Sequence, residues 1–84
     1  MNPQELRADL EVFLLSVITP GCRLDDVDDS INLIDAGIMD SFALIQVIFY
    51  LEQNHGCDLQ ALGIDPVDLG SMQGILTAIQ RANE

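Results

Sequence analysis

Apolar residues recur at intervals of three and four in three segments of this chain, and that period is typical of helices that bury one face. The first segment follows Asn2-Pro3, an N-cap residue and a proline at the first helical position, and it ends at Thr19-Pro20-Gly21. No run of alternating apolar and polar residues supports a strand. The sequence therefore predicts an all-α fold. The inward stripe predicted for the first helix is Leu6, Leu10, Phe13, Leu14 and Val17.

The other segments complete a predicted four-helix bundle of three principal helices, a short third helix and a long first loop. The second helix is expected from about Ser41 to His55. Asp65-Pro66 starts the short third helix, which runs through Leu69, and Ser71 caps the last helix. The predicted inward residues are Leu44, Ile48, Leu51 and His55 in the second helix, and Met72, Ile75, Leu76 and Ile79 in the last.

The first loop, residues 22–39, is longer than most helix–helix connections, so we expect it to be packed or functional. It is rich in aspartate, yet the spacing from Asp26 places Ile31 and Gly37 where an EF-hand requires glycine and glutamate. No metal site is expected. The residues predicted to pack this loop onto the helices are Ile31, Leu33, Ile34 and Ile38.

Size and charge narrow the classes of function. The 84 residues suffice for one domain, residues 1–84, with a net charge of −11 from 14 acidic and three basic side chains. This charge disfavours nucleic acid and anionic membranes as partners and favours a basic protein surface. No apolar run is long enough to span a membrane, and the first ten residues lack the features of a signal peptide. We expect a cytoplasmic monomer in which Cys22 and Cys57 are structural free thiols.

Asp40-Ser41-Phe42 places a serine hydroxyl in the first turn of the second helix, behind an aspartate that can cap that helix. A phosphate on Ser41 would face backbone N–H groups and the positive end of the helix dipole. The only histidine, His55, lies about 21 Å along the same helix, whereas a nucleophile and its base must approach to about 3 Å. We therefore predict no catalytic residues and a protein that is not an enzyme.

Aromatic residues also mark the second helix, on the side opposite its predicted inward stripe. Phe42, Phe49 and Tyr50 lie there together with Gln46. An apolar face on the outer side of a helix either docks a partner or is covered by another part of the chain. Both alternatives stay open, and these four residues are the candidate partner-binding residues.

Residues 33–42, with the sequence LIDAGIMDSF, resemble the signature of the acyl carrier proteins, the phosphopantetheine-binding carriers. The resemblance extends over nearly the whole chain. It implies that Ser41 carries 4′-phosphopantetheine, transferred from coenzyme A by a phosphopantetheinyl transferase, with Asp40 capping the helix beside the attachment point. The terminal thiol of that group would hold an acyl or aminoacyl cargo as a thioester.

Departures from the fatty-acid carriers indicate the cargo. Ala43 and Gln46 stand where those carriers have acidic residues, Glu52 alone keeps its charge, and His55 replaces an aromatic residue. The Asp-Ser-Phe form looks closer to D-alanyl and other stand-alone aminoacyl carriers. The resemblance thus implies an adenylating ligase and a downstream transferase or synthase as partners. The alternative is an acidic helical adaptor or inhibitor without a prosthetic group, which binds through the same aromatic face.

Overall fold

The computed structural model describes residues 2–25 and 27–83, and these residues form helices and loops without a strand. The predicted all-α bundle of four helices is confirmed. A 3₁₀ helix precedes the last α-helix. The elements are α1 (Pro3–Leu15), α2 (Ser41–His55), α3 (Leu59–Leu62), the 3₁₀ helix (Pro66–Gly70) and α4 (Met72–Ala82).

Side-chain caps begin the helices where the sequence predicts them. Asn2 accepts the Glu5 amide at 2.8 Å to start α1, and Ser71 accepts the Gly74 amide at 3.1 Å to start α4. Each cap satisfies a backbone donor that has no partner inside its own helix. The end of α1 differs from the prediction, because the helix stops at Leu15 and is followed by a turn.

The segment between α2 and α4 also differs from the prediction. The short third helix that was expected after Asp65 is a 3₁₀ helix, and α3 is an additional turn of α-helix that was not predicted. Asp58 caps α3 and Gly63 ends it with a φ of 67°. An N-cap residue followed five residues later by glycine is a recognised signal of a short helix. The four residues between them are too few to show a helical period of apolar residues, so the pattern alone does not predict α3.

Fourteen of the described residues are buried and form one hydrophobic core cluster to which every helix contributes. The inward residues predicted for α1 and α4 are buried or half-buried, as expected. The radius of gyration of 11.9 Å matches the value of about 11.8 Å expected for a folded chain of this length. The buried core residues are Leu10, Leu14, Leu33, Met39, Ala43, Val47, Leu51, Cys57, Leu59, Leu69, Met72, Ile75, Ala78 and Ile79.

The face that α2 turns inward was predicted wrongly in part. Ala43, Val47 and Leu51 are its buried residues, and of these only Leu51 belongs to the predicted stripe. The observed inward face is rotated about the helix axis, relative to the predicted one, by less than the roughly 100° that separates successive residues. It takes this position because the small Ala43 and the β-branched Val47 fit against the core. The other predicted members of the stripe, Leu44, Ile48 and His55, are half-buried at its border.

The long loop is fastened to the bundle by buried side chains and backbone hydrogen bonds. Leu33 is buried, and its amide donates to the Gly70 carbonyl at 2.7 Å. Ile34 and Ile38 pack against the core as predicted, whereas Ile31 is exposed and that part of the prediction is wrong. Met39, which was not among the predicted anchors, is buried. Asp26, the first residue of the segment compared with an EF-hand loop, lies outside the described residues.

Candidate functional site

The start of α2 is held in position by the residues immediately before it. The Ile38 and Met39 amides donate to the Leu33 carbonyl at 2.9 and 3.1 Å, and the Met39 side chain is buried. Gly37 has a φ of 76°, a conformation that favours glycine, and it turns the chain into this segment. Because Met39 is anchored in the core, the next residues emerge at the surface as α2 begins.

Asp40 is the N-cap of α2, as predicted, and its Oδ1 accepts the Ala43 amide at 2.8 Å. The Leu44 amide donates to the Asp40 carbonyl at 3.2 Å. Among the described residues no acceptor is recorded for the amides of Ser41 and Phe42. Two backbone donors at the positive end of α2 are thus available to an anion beside Ser41.

The Ser41 hydroxyl is exposed and forms no hydrogen bond with the rest of the described chain. The other three serines differ from it. The hydroxyls of Ser16 and Ser30 donate to the Phe13 carbonyl and the Asp28 carboxylate, and Ser71 uses its oxygen as a helix cap. Because Asp40 performs the capping at α2, the Ser41 oxygen is left without an internal hydrogen-bond partner among the described residues.

Two of the predicted partner-binding residues are clearly exposed. The side chains of Phe42 and Phe49 are 67% and 56% exposed, and Ile45, which was not predicted, is exposed between them. These residues follow a spacing of three and four and therefore form one ridge along the outer side of α2, which we call the α2 ridge. The same spacing could have revealed Ile45 from the sequence. Glu52 lies three residues beyond Phe49 at the end of this ridge, where its exposed side chain adds a negative charge.

Tyr50 and Gln46 are both half-buried. Gln46 lies four residues after Phe42 and three before Phe49, on the same side of α2 as the ridge, whereas Tyr50 lies at the border of that side. The Tyr50 ring stacks on Phe13 of α1 with a centroid distance of 4.1 Å and an interplanar angle of 14°. Burial, with a contribution from the Asp9 carboxylate, raises the pKa of the Tyr50 hydroxyl. Tyr50 therefore joins α1 to α2, and only the exposed part of its ring is available to a partner; its role in partner binding stays a prediction.

His55 lies at the opposite end of α2 from Ser41, so the two side chains do not meet. Its ring is tilted against Tyr50 at a centroid distance of 5.4 Å, and its Nε2 atom is buried without a hydrogen-bond partner among the described residues. Two open grooves, of about 640 and 530 Å³, share Leu6 and Ile79 near this end of the bundle. Neither groove is lined by Ser41.

The two cysteine thiols lie away from the start of α2. Cys22 and Cys57 are free thiols, and Cys57 is buried in the core. Within residues 2–25 and 27–83, no cluster of three or more histidine, cysteine or acidic side chains could hold a metal ion. In the same residues no helix combines the length and the apolar character needed to cross a bilayer.

No family model, curated protein or solved structure matches this chain.

Proposed function

We propose that this protein is a carrier that is modified on Ser41 with 4′-phosphopantetheine. The observation that supports the proposal most is the state of the Ser41 hydroxyl, which is exposed, free of internal hydrogen bonds and at the N-terminus of a fifteen-residue helix. A serine that only caps a helix would use its oxygen as Ser71 does. Here Asp40 takes that role and leaves the hydroxyl available.

The residues at the start of α2 suit a phosphate-linked group. Ser41 Oγ would carry the phosphate, and the amides of Ser41 and Phe42 would stabilise its negative charge together with the helix dipole. When bound, the prosthetic group supplies a terminal thiol that can hold an acyl or aminoacyl group as a thioester. The chain itself needs no catalytic group for that role.

The attachment step needs a base from another protein. Ser41 Oγ forms a bond to the phosphorus that bears pantetheine in coenzyme A, and the bond from that phosphorus to adenosine 3′,5′-bisphosphate breaks. The hydroxyl proton must leave as this happens. The Asp40 carboxylate is engaged with the Ala43 amide, and His55 lies at the far end of α2. The phosphopantetheinyl transferase would therefore accept the proton.

Intact-mass measurement tests the proposal. The full chain is incubated with coenzyme A and a phosphopantetheinyl transferase of broad specificity, and we expect a gain of one phosphopantetheine. Ser41→Ala should gain nothing, while Ser16→Ala, a matched change at another exposed serine, should be modified like the wild type. Unmodified wild type, or a Ser41→Ala variant that still gains mass, would contradict the proposal. The first of these results would favour an adaptor or inhibitor that has no prosthetic group.

The cargo and partners are also part of the proposal. The Asp-Ser-Phe motif and the scarcity of charge on α2, where Glu52 is the one acidic residue, favour an aminoacyl cargo that an adenylating ligase loads and a downstream transferase or synthase removes. The protein would act in the cytoplasm. It would be a monomer, since a net charge of −11 disfavours self-association. Apolar contact through the α2 ridge would hold these enzymes, and charge would speed their encounter.

The α2 ridge can be tested with the same transferase. Phe49 is eight residues beyond Ser41, so truncation of its ring does not touch the reacting hydroxyl. If the ridge is the docking surface, Phe49→Ala should lower kcat/KM for modification by about tenfold, as expected for an aromatic interface residue. Val12→Ala on α1 removes a comparable exposed apolar side chain, 71% exposed, and should leave kcat/KM unchanged. Equal rates for the two variants would exclude the ridge as the docking site of this transferase.

A further inference from the structure

Asp29 joins the long loop to two helices at once. Its carboxylate accepts hydrogen bonds from both terminal nitrogens of Arg7 on α1, with 2.8 Å between Nη1 and Oδ2. Its backbone oxygen accepts the Gln73 amide at 3.0 Å, in the first turn of α4. The hydrogen bonds from Arg7 hold the pKa of the Asp29 carboxyl below its ordinary range. A bidentate pair sets the orientation as well as the distance of the carboxylate.

Other parts of the loop have anchors that do not involve Asp29. The Thr19 amide donates to the Ile38 carbonyl at 2.7 Å and closes the two ends of the loop against each other. The Leu33 amide donates to the Gly70 carbonyl at 2.7 Å, and the Leu33 side chain is buried. The segment that leads to Ser41 is therefore held independently of the Arg7–Asp29 pair.

A small void lies between residues 27–29 of the loop and the helices α1 and α4. Its volume is about 20 Å³, and its apolar lining includes Leu14 of α1, Met72 of α4 and Val27 of the loop. Val27 is half-buried and packs against the core cluster. Displacement of residues 27–30 would widen this void into an opening between α1 and α4.

We propose that residues 27–30 form a strap that opens as a unit when the Arg7–Asp29 pair breaks. Opening would remove the acceptor of the Gln73 amide and expose the apolar seam between α1 and α4. The side chains of Arg7 and Asp29 are 41% and 42% exposed, so salt and water weaken the pair. The inference is independent of the modification of Ser41.

Amide hydrogen exchange of the full chain, followed by NMR, tests the strap. In Arg7→Gln we expect the amides of Gln73 and Ile31 to exchange about fivefold faster, the change expected from loss of a half-exposed ion pair. The Ile31 amide donates to the Asp28 carbonyl at 3.0 Å and so also reports on the strap. The amides of Leu33 and Thr19 should keep their wild-type rates. Asp29→Asn should reproduce the pattern by removing the other member of the pair.

Two control variants separate this effect from a general loss of charge. Glu11→Gln removes the second partner of Arg7, at 3.4 Å, and leaves the bond to Asp29 intact. Arg23→Gln removes a loop ion pair whose side chains are 85% and 79% exposed. Neither should accelerate the Gln73 amide. Wild-type exchange of Gln73 and Ile31 in Arg7→Gln, or equal acceleration of Leu33 and Thr19, would overturn the proposal.

Discussion

Gly74 lies where α4 passes the carbonyl oxygen of Asp68, and this close approach leaves no room for a side chain. A Cβ atom at position 74 would lie 1.6 Å from that oxygen and 2.8 Å from the carbonyl carbon. Ordinary van der Waals contact begins at 3.4 Å, so the backbones would have to separate by 3.4 − 1.6 = 1.8 Å. The obstacle is backbone, and no side-chain rotation can relieve it.

The expected cost of Gly74→Ala follows from two opposing contributions. Overpacking that moves the backbone costs about 3 kcal/mol, the upper end of the usual range, because Leu69 next to the contact is fully buried. Alanine in place of glycine favours the helix by about 1 kcal/mol. The net loss in the free energy of unfolding is therefore about 2 kcal/mol, which corresponds to about 8–16 °C in Tm for a domain of this size.

Chemical denaturation and thermal melting of Gly74→Ala measure this loss directly. Gln73→Ala is the matched control, since it introduces the same residue one position earlier on α4, where the side chain is exposed. The control should stay within about 0.5 kcal/mol of wild type. A Gly74→Ala variant as stable as the control would refute the close approach of α4 to the 3₁₀ helix.

Three further outcomes are expected from local contacts. Hydrogen bonds from the backbone and hydroxyl of Ser30 lower the pKa of Asp28, so Ser30→Ala should raise it in an NMR titration. Because the folded-state pKa is depressed, the stability that this carboxylate contributes is present above its unfolded-state pKa and is lost as pH falls through the folded-state value. Asp40→Ala should cost about 1 kcal/mol in denaturant unfolding by removing the α2 cap, whereas Asp40→Asn should retain most of it. Burial raises the pKa of the Cys57 thiol, so an alkylating reagent should modify half-buried Cys22 first, as mass spectrometry of the intact protein would show; faster reaction of Cys57 would contradict its burial.

Helix starts were predictable because each depends on a cap and its nearest neighbours along the chain. Asn2, Asp40 and Ser71 cap α1, α2 and α4 at the predicted places. These bonds join residues three apart, so their donors and acceptors can be found by spacing alone. The end of α1 was less predictable, since a helix can stop in a turn well before a proline makes continuation impossible.

The orientation of α2 was not predictable from its pattern, since this helix is apolar on nearly all sides. Periodicity then offers several stripes of similar quality. Packing chose the side with Ala43 and Val47, which kept Phe42 and Phe49 on the outer side, as the sequence predicts, but turned Tyr50 toward Phe13. The exposed part of the candidate docking surface therefore consists of Phe42 and Phe49, with Ile45 between them.

The sequence by itself determined the all-α fold, the helix starts and the position of Ser41 directly behind the Asp40 cap. Those features depend on period, caps and turns, which act over a few residues. Tertiary structure alone decided that the Ser41 hydroxyl is left without an internal partner and that Asp29 pairs with Arg7, 22 residues away. Contacts of that kind depend on how the helices and the loop pack in three dimensions, and local spacing does not encode which distant groups will meet.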